Sequence, residues 1–227
     1  MTTCPSLSMT TPLRTARSIL SLLLLSACAS LDPAPPAPAR VVRVKALADI
    51  DLMRDDPRWQ STVRDLINAA SDYFEKEFGI RLVLRKAAPW PGKDRSLSTR
   101  RLMKALKAKV PLSDRAGSYD LIIGFIGQQL DIYGSGLARV DRIGDCKRGL
   151  GNYVLTAVSE PFRYSGPDSE LGYDVASLIH EFAHIFGAVH VNDSTSIMHR
   201  DFAFRTEFDS KNRAIIIKNR SCPFGKG

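Results

Sequence analysis

"HEFAHIFGAVH", His180 to His190, holds three of the chain's four histidines within eleven residues. At about 100° of rotation per residue, His180 and His184 lie within roughly 40° of each other, one turn apart on one helix face. Their imidazoles can converge on a single ion. By the same arithmetic Val175, Leu178, Ile179, Phe182, Ile185 and Phe186 fall on the opposite side. The helix therefore has an apolar back to bury and a histidine front, lined by small Ala176, Ser177 and Ala188, to turn toward a cleft. Continued straight, it would carry His190 about a further turn and a half along its axis, out of range. Gly187 interrupts it. Glycine adopts the left-handed conformation that ends a helix at little steric cost, so the chain can turn and bring the third histidine back to the first two.

Three neutral imidazoles leave one tetrahedral position open, which is the arrangement of a catalytic zinc ion rather than of a closed structural site. Glu181 stands about 100° around the helix from His180. It is placed to accept a proton from metal-bound water and pass it to a leaving amine. Zinc lowers the pKa of such a water to about 7 and polarises a carbonyl, so hydrolysis needs no covalent intermediate. One histidine on a helix is ordinarily a surface or hydrogen-bonded core residue. Five fixed positions together arise by chance in roughly one chain of this length in a hundred thousand, and a purely structural metal has no use for a base.

The stretch matches the HExxHxxGxxH zinc motif of the metzincin metalloproteases at every fixed position. "SIMH", Ser196 to His199, resembles their Met-turn, with Met198 as the apolar floor beneath the metal. The resemblance implies a zinc endopeptidase with one catalytic Zn²⁺. It makes His180, His184 and His190 the ligands and Glu181 the general base. It also implies an α+β, metzincin-like fold: a mixed twisted sheet with packed helices, an active-site helix and a C-terminal helix. An edge strand within residues 134 to 142 would pair with an extended peptide or protein substrate. Val191 and Arg200 stand where several subfamilies carry other residues, so no subfamily is chosen. His199 receives no role beyond a surface or supporting position.

Upstream, "VVRVKAL" (41 to 47) reads as a strand. A helix follows, with Asp56 as N-cap, Pro57 in its first turn and Gly79 at its stop. Trp59, Val63, Leu66, Ile67, Ala70, Tyr73 and Phe74 recur at helical spacing as a core stripe. "IRLVLR" (80 to 85) alternates as a strand with one wet face, and an amphipathic helix runs from about Ser98 to Lys109. "DLIIGFI" (120 to 126) reads as a buried strand with an irregularity at Gly124, and "NYVLTAV" (152 to 158) as another strand. Asp209 or Ser210 caps a last helix carrying Ala214, Ile215, Ile216 and Ile217. Strands and helices in this order make a mixed sheet packed by helices.

The first 27 residues have two arginines, no acid and a short apolar run from Ile19 to Leu25, the pattern of a secretory signal. Leu25-Ser26-Ala27-Cys28 resembles the lipobox of bacterial lipoproteins, in which the cysteine is lipidated and becomes the first mature residue. The alternative is an ordinary cleavage site near Ala27 or Ala29. Residues 28–40 are a Pro/Ala-rich spacer of polyproline-like character, and 41–227 form one domain. The expected address is the bacterial envelope, with a membrane partner through the lipid. The outer membrane, facing periplasm or exterior, is favoured because no Asp follows Cys28.

Loss of the signal takes Arg14 and Arg17 with it, and the net charge falls from +8 to +6. No dense basic tract interleaved with aromatics is present, and nucleic acid is excluded as a partner. Cys146 and Cys222 are then the remaining cysteines. In an oxidising compartment they pair as one disulfide, an expectation preferred over Cys146 as a removable metal ligand. Two alternatives to general proteolysis stay open: processing of cell-wall peptides, and a lipoprotein that uses its metal site for binding alone. Oligomeric state is not legible.

Overall fold

In the computed structural model, residues 38–90, 98–127, 138–167, 170–201 and 205–225 are described. The signal segment, Cys28, most of the spacer and residues 134 to 137 of the expected edge strand lie outside them.

Strand β1 (Arg40–Ala48) is flanked on both sides by parallel partners, β2 (Ile80–Pro89) and β5 (Leu121–Gly127). Between β2 and β5 come α3 (Thr99–Lys109) and a hairpin of β3 (Ser113–Asp114) and β4 (Gly117–Ser118). β7 (Tyr153–Val158) joins β5 in parallel, and the short β6 (Arg139–Val140) joins β7 antiparallel. The order is β2-β1-β5-β7-β6, with β6 at one edge. This is the mixed sheet expected, and its edge strand falls inside the expected window.

Alternation along the strands assigns each face to a different core. Val42, Val44, Ala46, Leu121, Ile123, Phe125 and Val154 join the larger core, under α2 (Trp59–Phe78) and α4 (Tyr173–Ile185). There Phe74 of α2 meets Phe182 of α4 edge to face, ring centroids 5.8 Å apart. Leu47, Ile122, Tyr153 and Leu155 face the other way, onto Leu102, Met103 and Leu106 of α3. Lys45 is on this second face and survives burial by ion-pairing with Asp114 at 2.9 Å. α5 (Ser210–Asn219) follows, and its N-cap is Asp209, as expected.

Two local expectations are corrected. Asp56 does not cap α2. A short helix, α1 (Ile50–Asp55), precedes it, and Asp56 is the C-cap of that helix. Its carboxylate accepts from the Arg58 N–H and the Thr62 hydroxyl, which moves the start of α2 to Trp59. α1 itself depends on Asp49, whose carboxylate accepts both the Leu52 N–H (2.8 Å) and the Gly127 N–H (2.9 Å). Nor is Gly124 an irregularity, since β5 keeps unbroken register through it with both neighbours. A Cβ there would lie 2.9 Å from the Trp90 ring and 3.2 Å from Leu155, so the glycine makes room for the second core. The one register shift of β1 is at Val44/Lys45.

Cys146 and Cys222 form a disulfide across 76 residues, with Cα atoms 5.0 Å apart. Closing a loop of that length contributes about 3–5 kcal/mol in the chain-entropy model. It ties the loop before β7 to the chain just beyond α5. Both segments flank the turn that leaves α4.

Candidate metal centre

α4 is buried along almost its whole length, and its sequence explains why. Its apolar back packs on the sheet and α2, while Asp174 in its first turn accepts from the Ser159 N–H (2.7 Å) and hydroxyl (2.8 Å) at the end of β7. That anchor fixes the helix lengthwise. His180 and His184 therefore emerge one turn apart, both under 6% exposed. His190 is the exposed member of the triad.

The three imidazoles meet. The Nε2 atom of His180 is 3.1 Å from those of His184 and His190, and the last two are 3.3 Å apart. Behind them, Nδ1 of His180 lies 2.6 Å from the Ile197 carbonyl and Nδ1 of His184 lies 2.7 Å from the Ala188 carbonyl. A carbonyl only accepts, so each Nδ1 carries the proton and each Nε2 turns a bare lone pair inward. Burial pushes the His180 imidazole down to about 3 and that of His184 to about 4, and it lowers His190 as well. All are neutral near pH 7.

Lone pairs crowded this closely repel one another unless a cation sits between them. Bonds of about 2.0–2.1 Å at tetrahedral angles set neighbouring donors about 3.3–3.4 Å apart, so the observed separations fit a small tetrahedral ion. An all-imidazole donor set suits a borderline-soft divalent metal such as zinc, copper, iron or nickel.

Gly187 has φ 96°, the left-handed conformation expected of it. It is needed twice over, because a Cβ would come within 2.5 Å of the Asn219 side chain and 2.6 Å of the Gly144 carbonyl. The turn is then clamped from α5 by two residues that sequence reasoning missed. Asn212, fully buried, accepts from the Val189 N–H (2.8 Å) and donates to the Val189 carbonyl (2.9 Å); Asn219 donates to the Phe186 carbonyl (3.0 Å). Asn212 is itself held by Asp209, the helix N-cap, which also accepts from Ser196 (2.8 Å). Ser196 in turn accepts from the Met198 N–H (3.0 Å). One carboxylate thus braces both the His190 turn and the loop whose Ile197 carbonyl orients His180. Met198 is fully buried beneath the helix in the larger core, while His199 is half-buried and accepts from the Asp201 N–H through Nδ1.

The signal was present in α5. Asn212, Ile216 and Asn219 share one face, and that buried stripe is two-thirds polar. Polar residues on the buried face of a helix must bond something. Asn212→Ala is expected to weaken metal affinity about 10–100-fold, the usual cost of losing a group that orients a ligand. Competitive chelator titration measures it, and unchanged affinity would assign Asn212 to stability alone.

Glu181 is buried and makes no hydrogen bond to a described residue. Burial pushes its carboxyl up to about 8, opposed by the charge of Arg139 on β6. A divalent cation nearby would favour its ionised form.

The Reprolysin_5 family model, described as metallo-peptidase family M12, matches residues 39–226. No curated protein sequence matches the chain. Among solved structures, archaemetzincin from Methanopyrus kandleri is similar at 17% identity and a TM-score of 0.53, over 79% of this chain and 95% of that one. At that identity the likeness is one of fold, a mixed sheet packed by helices.

Proposed function

The chain belongs to metallo-peptidase family M12, and from that premise we propose a zinc endopeptidase in which His180, His184 and His190 hold the metal and Glu181 is the general base. The observation that carries this reading is the meeting of three imidazole Nε2 atoms within 3.1–3.3 Å, next in sequence to Glu181, whose buried carboxyl group has no hydrogen-bond partner among the described residues. When bound, zinc supplies Lewis-acid polarisation of a carbonyl and lowers the pKa of water to about 7. Glu181 accepts the proton of the attacking water as its oxygen bonds to the peptide carbon. It then delivers a proton to the leaving amine as the C–N bond breaks. β6, at the sheet edge, pairs with the extended substrate and holds its main chain in place.

Zinc analysis of the purified protein, followed by cleavage of a denatured-protein mixture with and without chelator, tests the proposal. One zinc per chain with chelator-sensitive cleavage is expected. Bound zinc with neither peptides nor cell-wall fragments cut would favour a metal-binding lipoprotein instead.

We further propose that Cys28 is lipidated and holds the enzyme at the outer membrane of the bacterial envelope, on its Pro/Ala spacer. The support is the sequence around Cys28 and the energetics of acyl anchoring, about 0.8 kcal/mol for each buried CH₂. Cys28→Ser is expected to move the protein from the membrane fraction to the soluble one. Mass spectrometry of the mature N-terminus reads the acyl groups directly, and a Cys28→Ser protein that stays membrane-bound would refute the anchor.

A further inference from the structure

α3 and β6 border a groove of about 510 Å³, lined by Arg100, Met103, Lys104, Lys107, Arg139 and Asp141 among others. Its charges do not balance. Asp141 is committed elsewhere: its nearly inaccessible carboxylate accepts from the Asn152 and Tyr153 N–H groups, with Lys107 at 3.2 Å and Arg142 at 3.7 Å. Lys107 is thereby paired, and it also lies over the Tyr153 ring at 5.6 Å. Arg100, Lys104 and Arg139 have no hydrogen-bond or ion-pair partner among the described residues. On α3, positions 100, 104 and 107 share one face. Two uncompensated cations, with Arg139 beside them, raise the local concentration of anions.

The register of β6 says what kind of anion reaches them. Arg139 pairs with Leu155 and Val140 with Val154, and paired residues of an antiparallel ladder point to the same side of the sheet. Leu155 belongs to the core beneath α3 and Val154 to the core beneath α4. Arg139 therefore faces the groove, while Val140 faces the α4 side. An extended segment added to β6 alternates in the same way, so every second side chain hangs over the groove.

We propose that this groove selects acidic side chains, at alternate positions of the peptide segment that pairs with β6. The inference rests on the peptidase reading above and names its substrate class. Phosphorylated residues satisfy the same chemistry as aspartate and glutamate, and the test separates them.

The test uses a peptide the enzyme cleaves, with Asn replaced by Asp, or Ser by phosphoserine, at successive positions on each side of the scissile bond. Exposed ion pairs are individually weak, but several cations together should raise kcat/KM about tenfold for Asp over Asn at two or more alternate positions. Salt at 0.5 M should flatten the preference. R100E/K104E should reduce the Asp-to-Asn ratio to one or below, and R100Q/K104Q should do so in part. K76E, the same charge reversal on the exposed face of α2, should leave the ratio unchanged. A preference for phosphoserine far above that for Asp would assign the groove to phosphopeptides within the same proposal.

An Asp-to-Asn ratio near one at every position of a peptide that is cleaved overturns the inference and leaves the peptidase reading intact. Failure to cleave any peptide removes both. Loss of binding to phosphatidylglycerol vesicles in R100E/K104E, without any Asp preference in the unaltered enzyme, overturns it in favour of a membrane contact.

Discussion

Glu181→Gln is expected to keep one zinc per chain and to lower kcat/KM by about 10²–10⁴-fold, the range that a positioned general base contributes. The substitution isolates chemistry from architecture for a specific reason. Glu181 holds no described hydrogen bond, so the amide breaks none, and no ligand of the triad is oriented through it. Glutamine fills the same volume and carries no ionisable group. The burial that pushes the carboxyl up to about 8 is a cost of placing an acid there, and a neutral side chain is relieved of it. The variant should therefore fold at least as well as the parent. Zinc content, thermal midpoint and kcat/KM measured on the same preparation decide the matter. Lost activity with zinc and stability unchanged assigns the base. Zinc lost together with activity would make Glu181 a structural residue and leave the proton transfer without an owner.

The parts of this site that were legible in the sequence are those governed by local geometry. His180 and His184 share a face because a helix repeats every 3.6 residues, and the apolar back of the same helix follows from the same period. Gly187 was legible because only one residue type takes φ 96° without strain. The pairing of Cys146 with Cys222 was legible from scarcity, given the oxidising compartment expected of the chain. What was not legible depends on contacts between distant segments. α1 exists because the Asp49 carboxylate reaches both Leu52 and Gly127, residues far apart in sequence, and no local pattern announces that bond. Asp56 beside Pro57 resembles a helix start, but its backbone N–H closes α1 on the Leu52 carbonyl while its carboxylate accepts from Arg58 and Thr62, so the boundary moved.

Asn212 and Asn219 show a third kind of failure. They stand near the two ends of α5 on its buried face, a polar stripe that calls for partners, and the packing of α5 against the turn after α4 identifies those partners as three backbone groups. The basic groove is similar. Arg139 is one arginine among many until β6 is placed in register with β7 and its side is fixed.

Removal of the metal carries the other large effect, and pH separates its causes. His184→Ala should bind no zinc at the triad and show no cleavage above background, because two remaining imidazoles do not complete the donor set. For the unaltered protein, zinc at 100 times its Kd stabilises the fold by about 2.7 kcal/mol through mass action. For a domain of this size that is a rise in Tm of roughly 5–10 °C, and the variant should lack it.

Acid should then reverse the order of the two chelated proteins. In the unfolded chain an imidazole takes up its proton near 6.5; in the fold, burial keeps His180 neutral to about 3 and His184 to about 4. Between those values the unfolded state binds more protons, so the metal-free fold keeps its full stability above pH 6.5 and loses it as the pH falls through about 4 to about 3. His184→Ala deletes one of those titrations. It starts less stable at pH 7, because a buried ring is replaced by a methyl group, but its Tm should fall less steeply with acid than that of the chelated parent. Parallel Tm curves between pH 7 and pH 4 would show that the buried imidazoles do not set acid stability. A steeper curve for the variant would contradict the neutral, lone-pair-inward arrangement on which the metal site rests.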